Sequence, residues 1–374
     1  MSEVTIYCKN LESSCTVPYG MTLQEFINTH NIKTENVFLG ALVNNKVRDL
    51  TYRIHKPAIL DFFDYYSSYG RNMYIRSLYF LLCKAVHDML PLEVKLHIKH
   101  SISGGRYCVL TNMTDPVTDE LVAKLCAHMH DLVERDIPFE RVGMLTPDAI
   151  KAFQDHGLED KYELFKDRDR IYTSVYKLEN TINYYYGFMV PSTGYLKTFG
   201  LEKYENGLLL KLPSSKNLDV LTKTRQYPKL FSVYQENKDW AEHLGVQYVS
   251  DVNRMISEEK IVDMIMVAEA FQEKRIASVA EAISKRPGVK MVLISGPSSS
   301  GKTTTCKRLS VQLGVLGYHP VQISVDDFFV EREETPKDKD GNYDFEALEA
   351  IDLPLFNKTL SELIDGKRVE LPTF

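Results

Sequence analysis

The sequence predicts a multidomain chain that joins α+β units to an α/β unit. Three observations lead there. Its 374 residues exceed what one hydrophobic core usually organises. Near the N-terminus Val4, Ile6 and Cys8 alternate with polar neighbours, as a half-buried strand does, and helix and strand patterns follow in mixed order. Towards the C-terminus the apolar run 289–295 (VKMVLIS) enters a glycine-bounded loop and then a helical pattern, the strand–loop–helix order of α/β folds.

Residues 1–64 read as one unit. The first strand is followed by a second ending in Cys15 and Val17. Thr22 stands where a helix cap belongs, ahead of Leu23, Phe26 and Ile27 on one face. Leu39 to Val43, the Asn44–Asn45 turn and Val47 predict a hairpin, and 58–63 a last strand. Two strands, a helix and further strands in about 60 residues form a β-grasp pattern. Residues 65–214 mix both elements: a helix from Tyr74 stopped at Pro91, an alternating strand through Val94, Leu96 and Ile98, a helix over 118–134, a strand-rich stretch over 171–189 and a strand over 207–212. Residues 215–287 read as a helical connector, with apolar residues at helical spacing over 261–271 and 276–283. Residues 288–374 form the last unit.

Hydrophobic residues at 44% and charged ones at 26% are the mix of a globular protein, and exclude a collagen-like, disordered or disulfide-scaffold chain. The net charge of −6 leaves no global basic field for wrapping nucleic acid. The six cysteines form no C-x-x-C pair, so free thiols in a reducing compartment are expected. The N-terminus lacks the basic start and apolar run of a secretory signal. The most apolar stretch, 77–90, is interrupted by Lys84, His87 and Asp88 and is too short to span a bilayer. A cytoplasmic protein without membrane contact is expected.

The clearest chemistry lies in Gly296-Pro297-Ser298-Ser299-Ser300-Gly301-Lys302-Thr303-Thr304, which fits G-x-x-x-x-G-K-[ST]. The glycines let the backbone curl so that its N–H groups face phosphate oxygens. Lys302 puts a compact cation on the β- and γ-phosphates, and the Thr303 hydroxyl suits Mg²⁺. The helix from Lys302 to about Leu316 aims its positive end at the same place. The next strand, 320–325, ends in Asp326-Asp327-Phe328-Phe329, with carboxylates where α/β sheets put ligands. The charge run 331–340 is expected to be a solvated loop with room for a lid.

Together with Asn342-Tyr343-Asp344 and Ala350-Ile351-Asp352, these motifs resemble the uridine kinase family within the wider uridine kinase/phosphoribulokinase group. The resemblance implies ATP with Mg²⁺, Asp326 as the base for a sugar hydroxyl, and Asp344 holding the ribose hydroxyls. Phe329, at the substrate pocket, replaces the family's Tyr, and Phe345-Glu346 replaces its His-Pro. Only 79 residues run from Gly296 to Phe374, so a piece of a longer chain, inactive in this form, is expected.

Residues 1–64 resemble a TGS domain, the β-grasp module of threonyl-tRNA synthetase. Residues 65–214 resemble the editing domain that follows it there, best at Val190-Pro-Ser-Thr-Gly194 and Leu196-Lys-Thr-Phe199. That domain's zinc pairs fall here on Arg76 and Phe80, and on Tyr185 and Met189. None is a credible ligand, so no zinc site and no editing hydrolysis are expected. The combination resembles a bacterial family of uridine or nucleoside kinases with a synthetase-like N-terminal half.

Other features have plainer readings. Lys95, His97, Lys99, His100 and Arg106 form a basic strip that suits an RNA backbone but is expected to be a solvated strand face. His128 and His130, two apart on a helix, face different ways. Tyr184-Tyr185-Tyr186 is expected to pack rather than stack a base. The expected function is ATP-dependent phosphoryl transfer to a nucleoside-like acceptor. The alternatives are a nucleotide-gated RNA- or tRNA-binding regulator and a kinase of another sugar.

Overall fold

In the first sheet, alternate side chains turn inwards strand by strand. The structure is a computed structural model and describes residues 3–32, 36–339 and 341–372. Strand β1 (Glu3–Cys8) buries Val4, Ile6 and Cys8. It is followed by β2 (Ser13–Pro18), helix α1 (Leu23–His30), β3 (Gly40–Val43), β4 (Lys46–Asp49) and β5 (Ala58–Phe63). The sheet order is β2-β1-β5-β3-β4, with β1 and β5 parallel and the other pairs antiparallel. Thr22 and Glu25 close a capping box: the Glu25 amide donates to Thr22 Oγ1 at 3.1 Å and the Thr22 amide to the Glu25 carboxylate at 2.7 Å. Asn44 and Asn45 both take positive φ, 50° and 60°, the two-residue turn that matches strand twist.

Helix α2 (Ser68–Met89) starts earlier than its apolar pattern, at the Ser67 cap. Gly70 is required in its first turn, because a Cβ there would lie 1.8 Å from Asp64 O. Leu78, Phe80, Leu81, Leu82 and Ala85 are buried, making α2 the central helix of the largest core. Around it come β6 (Lys95–Ile102), β7 (Gly105–Thr111), α3 (Asp119–Glu134), β8 (Glu140–Leu145), α4 (Thr146–Asp155), α5 (Glu159–Phe165), β9 (Tyr172–Leu178), β10 (Thr181–Asn183), β11 (Gly200–Tyr204) and β12 (Gly207–Lys211). They form two antiparallel sheets, ordered β11-β12-β7-β6 and β10-β9-β8. Helices α6 (Pro228–His243) and α7 (Val249–Ser257) follow. The chain divides into two compact units, Met1–Arg254 and Met255–Phe374.

The second unit holds α8 (Ile261–Ser284), α9 (Lys302–Val315) and α10 (Leu353–Ile364). The two apolar patterns over 261–271 and 276–283 are thus one continuous helix. Leu309 and Leu313 of α9 bury against Ala280, Ile276 and Ile283 of α8, and Arg308 pairs with Glu273 at 2.6 Å.

Two expectations fail here. Residues 289–295 and 320–325 are not strands: among the described residues neither pairs with a neighbour, and all three sheets lie in the first unit. Leu293 is 82% exposed. A helix satisfies its own backbone, whereas an extended segment needs an adjacent strand for its N–H and C=O groups. Without one, an apolar run is only an extended loop. Asp340, at the end of the expected lid, lies outside the described residues.

Candidate active site

The glycine-rich loop takes its curl from two left-handed residues, Ser299 (φ 59°) and Gly301 (φ 81°). The first is uncommon for a residue with a Cβ. Gly301 ends the loop as the residue preceding α9, so the amides of residues 302–304 have no acceptor within the helix and face outwards. Lys302 Nζ donates to Gly296 O at 2.8 Å and Pro297 O at 3.0 Å, folding its ammonium back across the loop mouth. Residues 296–305 are exposed.

Asp326 does not sit at a strand end. It lies in a short 3₁₀ turn, Val325–Phe328, beside Asp327. The turn is anchored by Phe328, buried, whose ring meets Phe356 of α10 edge-on at 5.1 Å. The sequence motif shows the two phenylalanines after the aspartates but not Phe356, whose role appears only once α10 folds back. Phe329 bridges to Ile351, and the Asp352 amide donates to Phe328 O at 2.8 Å. Asp326 is exposed, and its carboxylate has no partner among the described residues.

Asp344 closes a separate loop. Its amide donates to Pro336 O at 2.7 Å and its carboxylate accepts from the Glu346 amide at 3.0 Å. Lys337 bridges to Tyr343, over whose ring Arg332 and Lys337 both lie. The described part of the charge run, 331–339, is thus a mostly exposed loop folded back on Tyr343. Asp352 caps α10 through the Leu355 amide at 2.9 Å. The structure gathers Gly296, Pro297 and Lys302 into one loop and Asp326, Phe329 and Asp352 into a second locus. No hydrogen bond or ion pair among the described residues joins Lys302 to Asp326 or Asp344.

Residues 291–374 match the family model described as the phosphoribulokinase / uridine kinase family. The segment therefore carries a domain of that family. The N-terminal half is similar to threonine–tRNA ligases. One, from Carboxydothermus hydrogenoformans, is 30% identical over 185 residues, covering 49% of this chain and 29% of that protein. Another, from Clostridium kluyveri, is 29% identical over 187 residues, 50% of this chain and 29% of the relative. A third, from Methylobacillus flagellatus, is 32% identical over 169 residues, 44% and 26%. The chain thus spans less than a third of the length of these relatives.

Of the four positions that the resemblance pairs as metal ligands, Phe80 and Tyr185 meet directly. The Phe80 and Tyr185 rings lie 5.3 Å apart, Met189 is buried in the same core, and Arg76 donates to Phe188 O. Burial pushes the Tyr185 phenol well above its ordinary range and lowers the Arg76 guanidinium. Aromatic packing and a guanidinium fill this place. Of the tyrosine run, Tyr184 meets Phe165 edge-on at 4.6 Å, while Tyr186 is exposed.

The basic strip is not the solvated face expected. His100 stacks on Tyr234 of α6 at 3.7 Å, and His97 lies 3.3 Å from the Tyr248 hydroxyl. Burial lowers the pKa of both imidazoles, with Lys99 a further cause. His128 pairs with Asp88 at 3.0 Å and His130 stacks on Phe199 at 4.4 Å, so the two face different partners. No helix in the described residues is long and apolar enough to cross a membrane.

Proposed function

We propose that residues 288–374 take part in ATP-dependent phosphoryl transfer to a hydroxyl of a nucleoside-like acceptor. The observation that carries this reading is the Gly296–Thr303 loop, with its left-handed turns and outward amides at the head of α9, inside the matched family segment. The loop amides and Lys302 hold the triphosphate, the ammonium exchanging its two carbonyl partners for β- and γ-oxygens. Mg²⁺ fits the hard oxygen donors present, the Thr303 hydroxyl and the Asp326–Asp327 carboxylates; when bound, it neutralises charge on the phosphates. Asp326, exposed on an anchored turn, accepts the proton of the acceptor hydroxyl. Asp344 grips the acceptor, and Phe329 lines its pocket. Most of the acceleration comes from positioning and charge neutralisation. In this reading residues 1–64, with β1 and β5 parallel at the centre of five strands, are a TGS-like β-grasp module. Residues 65–214 are an editing-like domain without its metal chemistry, and 215–287 a connector. A cytoplasmic location belongs to the same reading.

ADP release with Mg-ATP over a nucleoside and sugar panel, read beside MgATP binding, tests it. Lys302→Ala should weaken binding and lower kcat/KM by about 10²–10³-fold. Asp326→Asn should lower kcat by about 10²–10⁴-fold with binding kept. Because 289–295 is unpaired, turnover should be slow while binding persists. Nucleotide binding indifferent to Lys302 would overturn the reading. A second reading, a nucleotide-gated RNA-binding regulator, draws on the similarity to tRNA ligases; salt-dependent tRNA binding that changes with ATP would favour it.

A further inference from the structure

Three arginines from three elements of the first unit meet at one residue, Phe188, two over its ring and one at its carbonyl. Arg141 of β8 lies over Phe188 at 4.9 Å and Arg48 of β4 at 5.8 Å, while Arg76 of α2 donates to the Phe188 carbonyl. Gly187 makes room: it has φ +105°, and a Cβ there would lie 2.9 Å from the Arg76 guanidinium. A guanidinium stacked on a ring uses its face and leaves its five edge N–H donors to point elsewhere. Among the described residues Arg48 donates only to Val47 O, Arg76 only to Phe188 O and Arg141 to none, and none of the three forms an ion pair. The negative group nearby is Asp49, close enough with Arg76 and Arg141 to act on the Tyr176 phenol. Its carboxylate is already held by Thr51, through the amide at 3.1 Å and the hydroxyl at 2.6 Å. Arg76 and Arg141 thus share their surroundings with one carboxylate that is occupied in its own turn. Arginines normally find carboxylates; like charges assembled without them repel, and that cost is recovered when an anion binds.

We infer that Arg48, Arg76 and Arg141 around Phe188 form a binding site for a small phosphomonoester dianion. Planar forks that offer paired N–H groups suit phosphate oxygens better than a lysine would. The exposed Tyr186, two residues from Phe188, offers a ring to a base attached to that phosphate. The site is built from the synthetase-like half and is independent of the glycine-rich loop.

The test is calorimetric titration of the full chain carrying Lys302→Ala, which weakens the other phosphate site, with inorganic phosphate and with a nucleoside 5′-monophosphate. Both should bind, the nucleotide more tightly if its base meets Tyr186, and both affinities should fall as salt rises. Adding Arg141→Gln, an exposed substitution that leaves the core alone, should weaken binding about tenfold or more. Adding Gly187→Ala, which displaces Arg76, should do the same. Tighter binding of the nucleotide places the ligand among nucleotides; equal binding places it with free phosphate, and either upholds the site. No binding to the Lys302→Ala chain, affinities indifferent to Arg141→Gln, or binding of an RNA oligonucleotide alone would each overturn it. Residual binding at the weakened glycine-rich loop is told apart because it does not respond to Arg141→Gln, so the two readings fail separately.

Discussion

Leu210 in β12 and Leu293 ahead of the glycine-rich loop are both apolar residues in runs whose sequence predicts a strand. The first is 0% exposed and the second 82%. The difference lies in their neighbours: β12 is flanked by β11 and β7 and covered by the α2 core, whereas residues 289–295 have no paired strand among the described residues. Helices in the same second unit form fully, α8 and α9 packing through Ala280, Leu309 and Leu313. Helical hydrogen bonds are local, while a strand depends on partners far away in sequence. The two units therefore differ in how much of their secondary structure is self-sufficient.

Hydrogen exchange would sharpen that contrast most. Amides of 207–211 should be protected on the order of 10⁴-fold more than those of 290–295, since core strands open only with most of the global stability. Equal protection would break the comparison. Truncating the cores comes next. Phe80→Ala should cost about 3–5 kcal/mol in denaturant unfolding of the first unit, and Leu309→Ala only about 2 in the smaller α8–α9 contact; a reversed order would mean that the second unit is the better packed.

Acid should loosen the first unit around two half-buried imidazoles. His97 and His100 are held neutral by burial, so their folded pKa values lie below the unfolded value near 6.5. The unfolded chain then binds more protons, and the stability they contribute is present above about pH 6.5 and is lost as pH falls below it. The groups facing His97 are Thr111, Tyr248, Lys99, Asp160, Lys161 and Lys238, and those facing His100 are Tyr107, Phe231, Tyr234 and Lys99. Trp240, the single tryptophan, lies in α6, so its fluorescence should change as the Tyr234 contact loosens below pH 6.5 and stay flat in His100→Phe. The smallest effect is local: Thr22→Ala removes the capping box and should cost about 1 kcal/mol.

Sequence alone gave access to features whose causes are short-range. Thr22 and Glu25, three apart, make a cap; Asn44–Asn45 makes a turn; Pro91 follows the end of α2; Gly301 and Lys302 open α9. It also carried the motif through which residues 291–374 match a kinase family. Strands β7, β8 and β11 and helices α4 and α5 escaped it, and α6 and α7 were covered only by the helical reading of 215–287, because their assignment depends on what they pack against. Only the tertiary structure decided that β1 pairs in parallel with β5, that the strip around His97 and His100 lies under aromatic rings of the following segment, and that Arg48, Arg76 and Arg141 meet at Phe188. It decided equally that VKMVLIS is not a strand here. A cap or a turn is fixed within a few residues, but a sheet or a charge cluster exists only when distant segments arrive together.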